Sequence, residues 1–138
     1  MNVFAAKASS PSAKTNKNIV DLGYVPYEKL PQVYSLADAY LLPSREEPFG
    51  LVIIESWASG IPVIATKTEG PIDMLTPKTG MFIETITSDA ILNSLETYYK
   101  YWQDNTIWDH FSQKECVNMA QRFSINVTAQ RMRQELFK

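Results

Sequence analysis

From Ile19 onward the chain alternates short apolar runs with amphipathic stretches of helical period, and few folds can accommodate that order. Strand and helix in alternation require a parallel sheet with helices packed on its faces, an α/β fold. Ile19-Val20-Asp21-Leu22 reads as a strand closed by Gly23. Tyr27 to Ala37 reads as a helix with Leu30, Val33, Tyr34 and Ala37 on one face, its first turn marked by Pro31. Ala39-Tyr40-Leu41-Leu42 is the next strand, stopped by Pro43. Gly50 to Ser59 is a strongly apolar, buried helix that ends at Gly60. Ile61 to Ala65 gives a third strand, Pro71 to Leu75 a helical turn, and Met81-Phe82-Ile83 an edge strand. Ser88 to Lys138 reads as two or three helices.

The N-terminal residues 1–18 are a polar segment with Lys7, Lys14 and Lys17 and no acid, a composition weakly like an organelle transit peptide. The plainer reading is a polar lead-in to the first strand, with Phe4, Ala5 and Ala6 left from the end of a helix. Residues 19–138 then form the single domain that 138 residues allow.

Composition excludes several function classes. A net charge of −2 provides no field to collect nucleic acid or an anionic membrane, so any phosphate must be held locally. One cysteine, Cys116, makes no internal disulfide, and one histidine, His110, makes no Cys/His metal site. A half-buried Cys116 and a surface or interface His110 are the expectation. No apolar run reaches the roughly 18 residues of a membrane span, and a cytoplasmic location is expected. The tail aromatics Tyr98, Tyr99, Tyr101 and Trp102 read as helix-packing residues rather than as a platform for bases.

In open parallel sheets the ligand lies beyond the carboxyl ends of the strands. The loops there are Gly23-Tyr24-Val25-Pro26, Ser44-Arg45-Glu46-Glu47-Pro48-Phe49-Gly50 and Thr66-Lys67-Thr68-Glu69-Gly70-Pro71. Gly50 lets a ligand approach the backbone where a helix begins, and free amides there suit a diphosphate. If Glu47 stands at the helix start, Glu55 is about 12 Å further along the axis and turned by about 80°. Such carboxylates grip two hydroxylated ends of an extended ligand; they do not share a proton. By itself Glu47 could do no more than complement the helix dipole, and Glu55 could be a surface charge. Yet Glu55 follows Leu51 to Ile54 and precedes Ser56-Trp57-Ala58, and a charge in that company needs a partner or a ligand.

The run from Pro43 to Ala65, with seven residues between Glu47 and Glu55 and Gly60-Ile61-Pro62-Val63-Ile64 following, resembles the donor-site signature of family-4 retaining glycosyltransferases of the GT-B fold. Leu22 to Pro26 and Leu30 to Ala39 are also similar to that family, so the resemblance covers residues 19–85 closely. It implies an incomplete Rossmann-like parallel sheet, the C-terminal part of a GT-B C-domain, with a helical tail. It also implies a hexosyltransferase that moves a sugar from a nucleotide sugar to a hydroxyl acceptor with retention. Glu47 would be the catalytic position, contacting the donor sugar's hydroxyls. Phe49, Gly50 and Leu51 would offer amides to sugar and diphosphate, and Glu55 would bind the ribose. Gly23, Tyr24 and Val25 would lie near the base, with Ser44 and Gly70 completing the substrate-binding set. No metal and no cofactor are implied, the substrate being a UDP- or GDP-sugar; the turn at Glu69-Gly70-Pro71-Ile72-Asp73 hints at UDP through sucrose-synthase-like members.

Two departures stand out. Glu69 replaces the first glycine of the family's Gly-Gly turn and puts a carboxylate near phosphate. The acceptor domain and first two strands of such an enzyme are missing from the sequence, so an N-terminally truncated chain is expected. It would self-associate through exposed sheet edges or dock onto an acceptor-domain chain. The family's phosphate cations go with the missing part, and Arg45, Lys67 and Lys78 are not matched replacements. The alternative is a non-catalytic nucleotide-sugar-binding remnant or regulatory module. A Rossmann cofactor domain is disfavoured, because no G-x-G-x-x-G follows the first strand.

Overall fold

A computed structural model describes residues 1–5 and 18–137. Four strands form one parallel sheet in the order β1 (Val3–Ala5), β2 (Ala39–Leu42), β3 (Val63–Thr66) and β4 (Gly80–Ile83). Its register pairs Phe4 with Tyr40, Leu41 with Ile64, and Ile64 with Met81. The expected α/β class and the edge position of β4 are both present.

The first strand is not where the apolar run predicted it. Residues 19–22 carry no strand and are exposed, Val20 at 77%. The sheet instead uses Val3–Ala5, so the segment read as a polar lead-in contributes a strand, and Phe4 and Ala5 do not end a helix. Two local causes are visible. Asp21 Oδ1 accepts the Gly23 amide at 3.0 Å, a side-chain turn that competes with strand pairing. Phe4 meanwhile packs its ring on Tyr34 and Tyr40, with centroids 5.1 and 5.5 Å apart, a burial that Ile19 and Val20 do not achieve. Ala6, Lys7 and Lys14 lie outside the described residues.

Alternate strand residues feed two cores, because successive strand side chains point to opposite faces. Tyr40, Leu42, Val63 and Ala65 pack with α2 (Leu51–Ala58), α3 (Glu69–Met74) and α6 (Gln113–Arg122), through Ile53, Trp57, Met74, Cys116 and Ala120. Ala39, Ile64 and Ile83 pack on the other face with α4 (Ser88–Gln103) and α5 (Ile107–His110), through Tyr98 and Ile107, and with Phe111 just beyond. Covering both faces explains why β3 is apolar without alternation.

The helix expected over residues 27–37 forms as a 3₁₀ turn, Tyr27–Lys29, followed by α1 (Leu30–Ser35) with Pro31 in its first turn. Helix α2 is buried on one side only: Ile53, Ser56 and Trp57 are inside, whereas Leu51 is 64% exposed. The tail forms four helices where two or three were expected, α4, α5, α6 and α7 (Ile125–Leu136). Thr87, Ser112 and Ser124 start three of them, each side chain accepting the amide three residues on, so punctuation divides a tail that composition alone leaves continuous. Cys116 is fully buried, not half-buried. No helix among the described residues is long and apolar enough to cross a membrane.

Candidate functional site

Because all four strands are parallel, the loops after β2 and β3 emerge on the same side of the sheet. The first, residues 43–50, ends on Gly50, which takes φ 86° and ψ 50° as the residue before α2. A side chain at this left-handed position is strained, and a Cβ there would meet the Ile53 Cδ1 at 2.8 Å. Glycine thus turns the chain into α2. The helix's first amides, Leu51 and Val52, have no carbonyl within the helix to bond and are left for a ligand or solvent.

Glu47 lies before the helix rather than at its start, so the estimate of 12 Å along one helix axis does not apply. Its Oε1 accepts the Gly50 amide at 2.9 Å, and its main-chain carbonyl accepts the Gly70 amide at 2.8 Å. The Gly50 amide, expected to face a donor, is already bonded to Glu47. Gly70 belongs to α3 and packs so closely that a Cβ on it would stand 2.6 Å from the Phe49 carbonyl carbon. Below this clasp, the buried Thr66 hydroxyl donates to the Ser44 carbonyl at 2.5 Å, tying the end of β3 to the loop after β2. Ser44 thus contributes its main chain to the frame. Phe49 turns its ring to Phe123, 6.0 Å away and edge-on, linking the loop to the tail.

Glu55 has the partner its apolar neighbours demand. The Tyr34 hydroxyl donates to Oε2 at 3.0 Å from a ring that is 2% exposed. Oε1 of Glu55 has no hydrogen-bond partner among the described residues, and the side chain is only half-buried. Burial first, then the neighbouring Tyr40 and Glu55, hold the Tyr34 phenol well above its ordinary pKa, so it stays a donor.

The structure therefore joins Ser44, Glu47, Phe49, Gly50 and Gly70 into one frame and places Leu51 and Glu55 on the helix that leaves it. It does not join Gly23, Tyr24 and Val25 to that frame. Gly23 turns back on Asp21, Tyr24 is 90% exposed, and no hydrogen bond among the described residues connects the three to either loop. Of the cations, Arg45 is exposed, Lys67 pairs with Glu84 at 3.0 Å, and Lys78 bonds the Asp109 carbonyl. Lys67 stands at the carboxyl end of β3; Lys78 precedes β4 and lies at the opposite end of the sheet. Glu69 is exposed in the first turn of α3.

Two cavities, of about 410 and 470 Å³, lie beside the start of β4 and are lined by Lys78, Trp108, Phe111, Met81, Phe82 and Tyr101 among others. Neither is lined by a residue of the two loops. His110 lies in the second cavity, stacked on Tyr101 with centroids 3.7 Å apart, a packing role. Tyr98 stacks on Phe111 and bonds the Asp38 carbonyl, as packing residues do.

Sequence reasoning missed Tyr34 as the partner of Glu55 and Thr66 as the tie between loops. Tyrosine where phenylalanine would fill the same ring space was the available signal for the first; nothing local marked the second.

A family model described as "Glycosyl transferases group 1" matches residues 4–115. A probable sucrose-phosphate synthase 2 of Craterostigma plantagineum is 34% identical over 85 residues, 58% of this chain and 8% of that protein. A mannosylfructose-phosphate synthase of Agrobacterium fabrum is 52% identical over 44 residues, 32% of this chain and 10% of that protein. The solved sucrose-phosphate synthase from Thermosynechococcus elongatus superimposes with a TM-score of 0.67 at 26% identity, over 84% of this chain and 29% of that one. The chain thus spans under a third of that structure and about a tenth of those two relatives. Its match over residues 4–115 places this chain in the glycosyl transferases group 1 family.

Proposed function

We propose that this chain carries the donor-binding part of a retaining glycosyltransferase of the family-4 GT-B kind, which moves a hexosyl group from a nucleotide sugar to a hydroxyl acceptor. One observation carries the reading. Glu47 and Glu55, the two carboxylates of the signature, flank a left-handed Gly50 whose loop is clasped to α3. In this reading the Leu51 and Val52 amides face the diphosphate, and Glu55 takes the ribose hydroxyls. Glu47, the catalytic position, holds sugar hydroxyls with the carboxylate oxygen that does not bond Gly50. During transfer the bond from the anomeric carbon to the leaving phosphate oxygen breaks as the bond to the acceptor oxygen forms on the same face, and the acceptor hydroxyl's proton passes to the leaving diphosphate. Charge collects on the diphosphate, where fixed amides stabilise it. Relatives named as sucrose-phosphate and mannosylfructose-phosphate synthases support a sugar-phosphate acceptor, chosen by protein beyond these two loops.

Calorimetric titration with UDP, GDP and ADP tests the reading. Saturable binding that Glu55→Ala weakens by about 1–3 kcal/mol, the usual loss for a charged hydrogen-bonding group, supports it. A chelator is expected to leave that affinity unchanged. Absence of binding to a chain that circular dichroism shows folded overturns it for this chain. Binding without transfer to any sugar-phosphate acceptor, even with an acceptor-domain chain supplied, supports the remnant instead.

A further inference from the structure

A buried tyrosine differs from phenylalanine by one hydroxyl, which must find a partner to offset its lost hydration. Tyr34 sits on α1, with its ring edge-on to Phe4 at 5.1 Å and tilted against Tyr40 at 5.5 Å. The hydrophobic site is thus filled by the ring, and the hydroxyl serves a separate end. It reaches across to α2, twenty-one residues on, and donates to Glu55 Oε2 at 3.0 Å. A half-buried glutamate has several staggered rotamers open to it, and a rigid donor behind Glu55 selects one. An ionised carboxylate has about four lone-pair sites. Tyr34 occupies one, leaving another on Oε2 and both on Oε1 for two outside donors.

Two adjacent hydroxyl donors are what a vicinal diol offers. Resting on the reading of Glu55 as the ribose ligand, we propose that Tyr34 is the positioning residue that fixes Glu55 for the 2′,3′-diol of a ribonucleotide donor. Ribose recognition then depends on a residue that never touches the ligand. Its phenol, held above the ordinary range by burial, remains protonated throughout the working pH range, so the restraint does not switch off.

The experiment titrates the unmutated chain, Tyr34→Phe, Glu55→Gln and the double variant with UDP and with 2′,3′-dideoxyuridine diphosphate. The unmutated chain is expected to prefer UDP. Tyr34→Phe is expected to weaken UDP about tenfold, the scale of one charge-assisted hydrogen bond, and to leave the dideoxy compound unchanged. The double variant should bind UDP no more weakly than Glu55→Gln alone. Equal weakening of both nucleotides by Tyr34→Phe would reduce Tyr34 to a structural role. UDP affinity unaltered by Tyr34→Phe, while Glu55→Gln weakens it, would overturn the positioning role and leave the reading of Glu55 standing. An unmutated chain that binds UDP no better than the dideoxy compound, or not at all, would remove the reading of Glu55 itself. Should Tyr34→Phe fail to fold, fluorine NMR of the unmutated chain carrying 3-fluorotyrosine decides. A buried tyrosine resonance moved by UDP and not by the dideoxy compound supports the proposal, and the same response to both overturns it.

Discussion

The amide of Gly70 donates to the carbonyl of Glu47 at 2.8 Å, so the first turn of α3 holds the loop after β2 by its main chain just where a signature carboxylate begins. The contact is possible only without a side chain. A Cβ on Gly70 would meet the carbonyl carbon and oxygen of Phe49 at 2.6 Å and its nitrogen at 2.8 Å, and backbone does not step aside as a side chain can. Gly70→Ala is therefore expected to destabilise the fold by about 1–3 kcal/mol, the range for forced overpacking. Urea unfolding checks it, and nucleotide affinity should fall with stability because the same loop carries Glu47.

Two left-handed glycines separate conformational strain from crowding. Gly23 has φ 61° with nothing within 4 Å of a built Cβ, whereas Gly50 has φ 86° with Ile53 Cδ1 at 2.8 Å. Gly23→Ala should cost about 1–2 kcal/mol, the left-handed penalty alone. Gly50→Ala should cost more, since buried Ile53 must also shift. Equal unfolding midpoints for the two variants would contradict the role given to Ile53.

Trp57 is fully buried and donates from Nε1 to the Thr79 carbonyl at 2.9 Å, joining α2 to the turn before β4. Trp57→Phe removes that bond and leaves a void. The carbonyl keeps the Val63 amide at 3.2 Å, so it is not orphaned. A loss of about 1–3 kcal/mol in thermal or urea unfolding is expected, below the 3–5 kcal/mol typical of truncation to alanine.

Alkaline pH should unfold the chain early. Burial raises the Cys116 thiol to about 12, and burial raises the phenols of Tyr34 and Tyr98 above their usual range. Unfolded, these groups release protons near pH 8.5 and 10. Above those values the unfolded state holds fewer protons than the folded one, so stability falls as pH rises. Urea midpoints should decline from about pH 9 and more steeply beyond 10. Cys116→Ala should flatten the first part of the decline, and a flat profile to pH 11 would contradict the burial of all three.

Local pattern determined much of this protein. The apolar run of β3, the Pro31 start and the Gly60 stop could all be read residue by residue, because each depends on neighbours within a turn or a strand. The two signature glutamates were also legible, since Gly50 and the apolar stretch around Glu55 mark them. Tertiary structure decided the rest. Val3–Ala5 became the strand and the longer run 19–22 did not, because Phe4 finds Tyr34 and Tyr40 there, a contact about thirty residues away in the chain. Glu47 bonds Gly50 because the left-handed turn brings that amide back, and Glu55 meets Tyr34 because the sheet sets α1 beside α2. Pattern records which face of an element is apolar, but a hydrogen bond between elements depends on where the sheet places their ends.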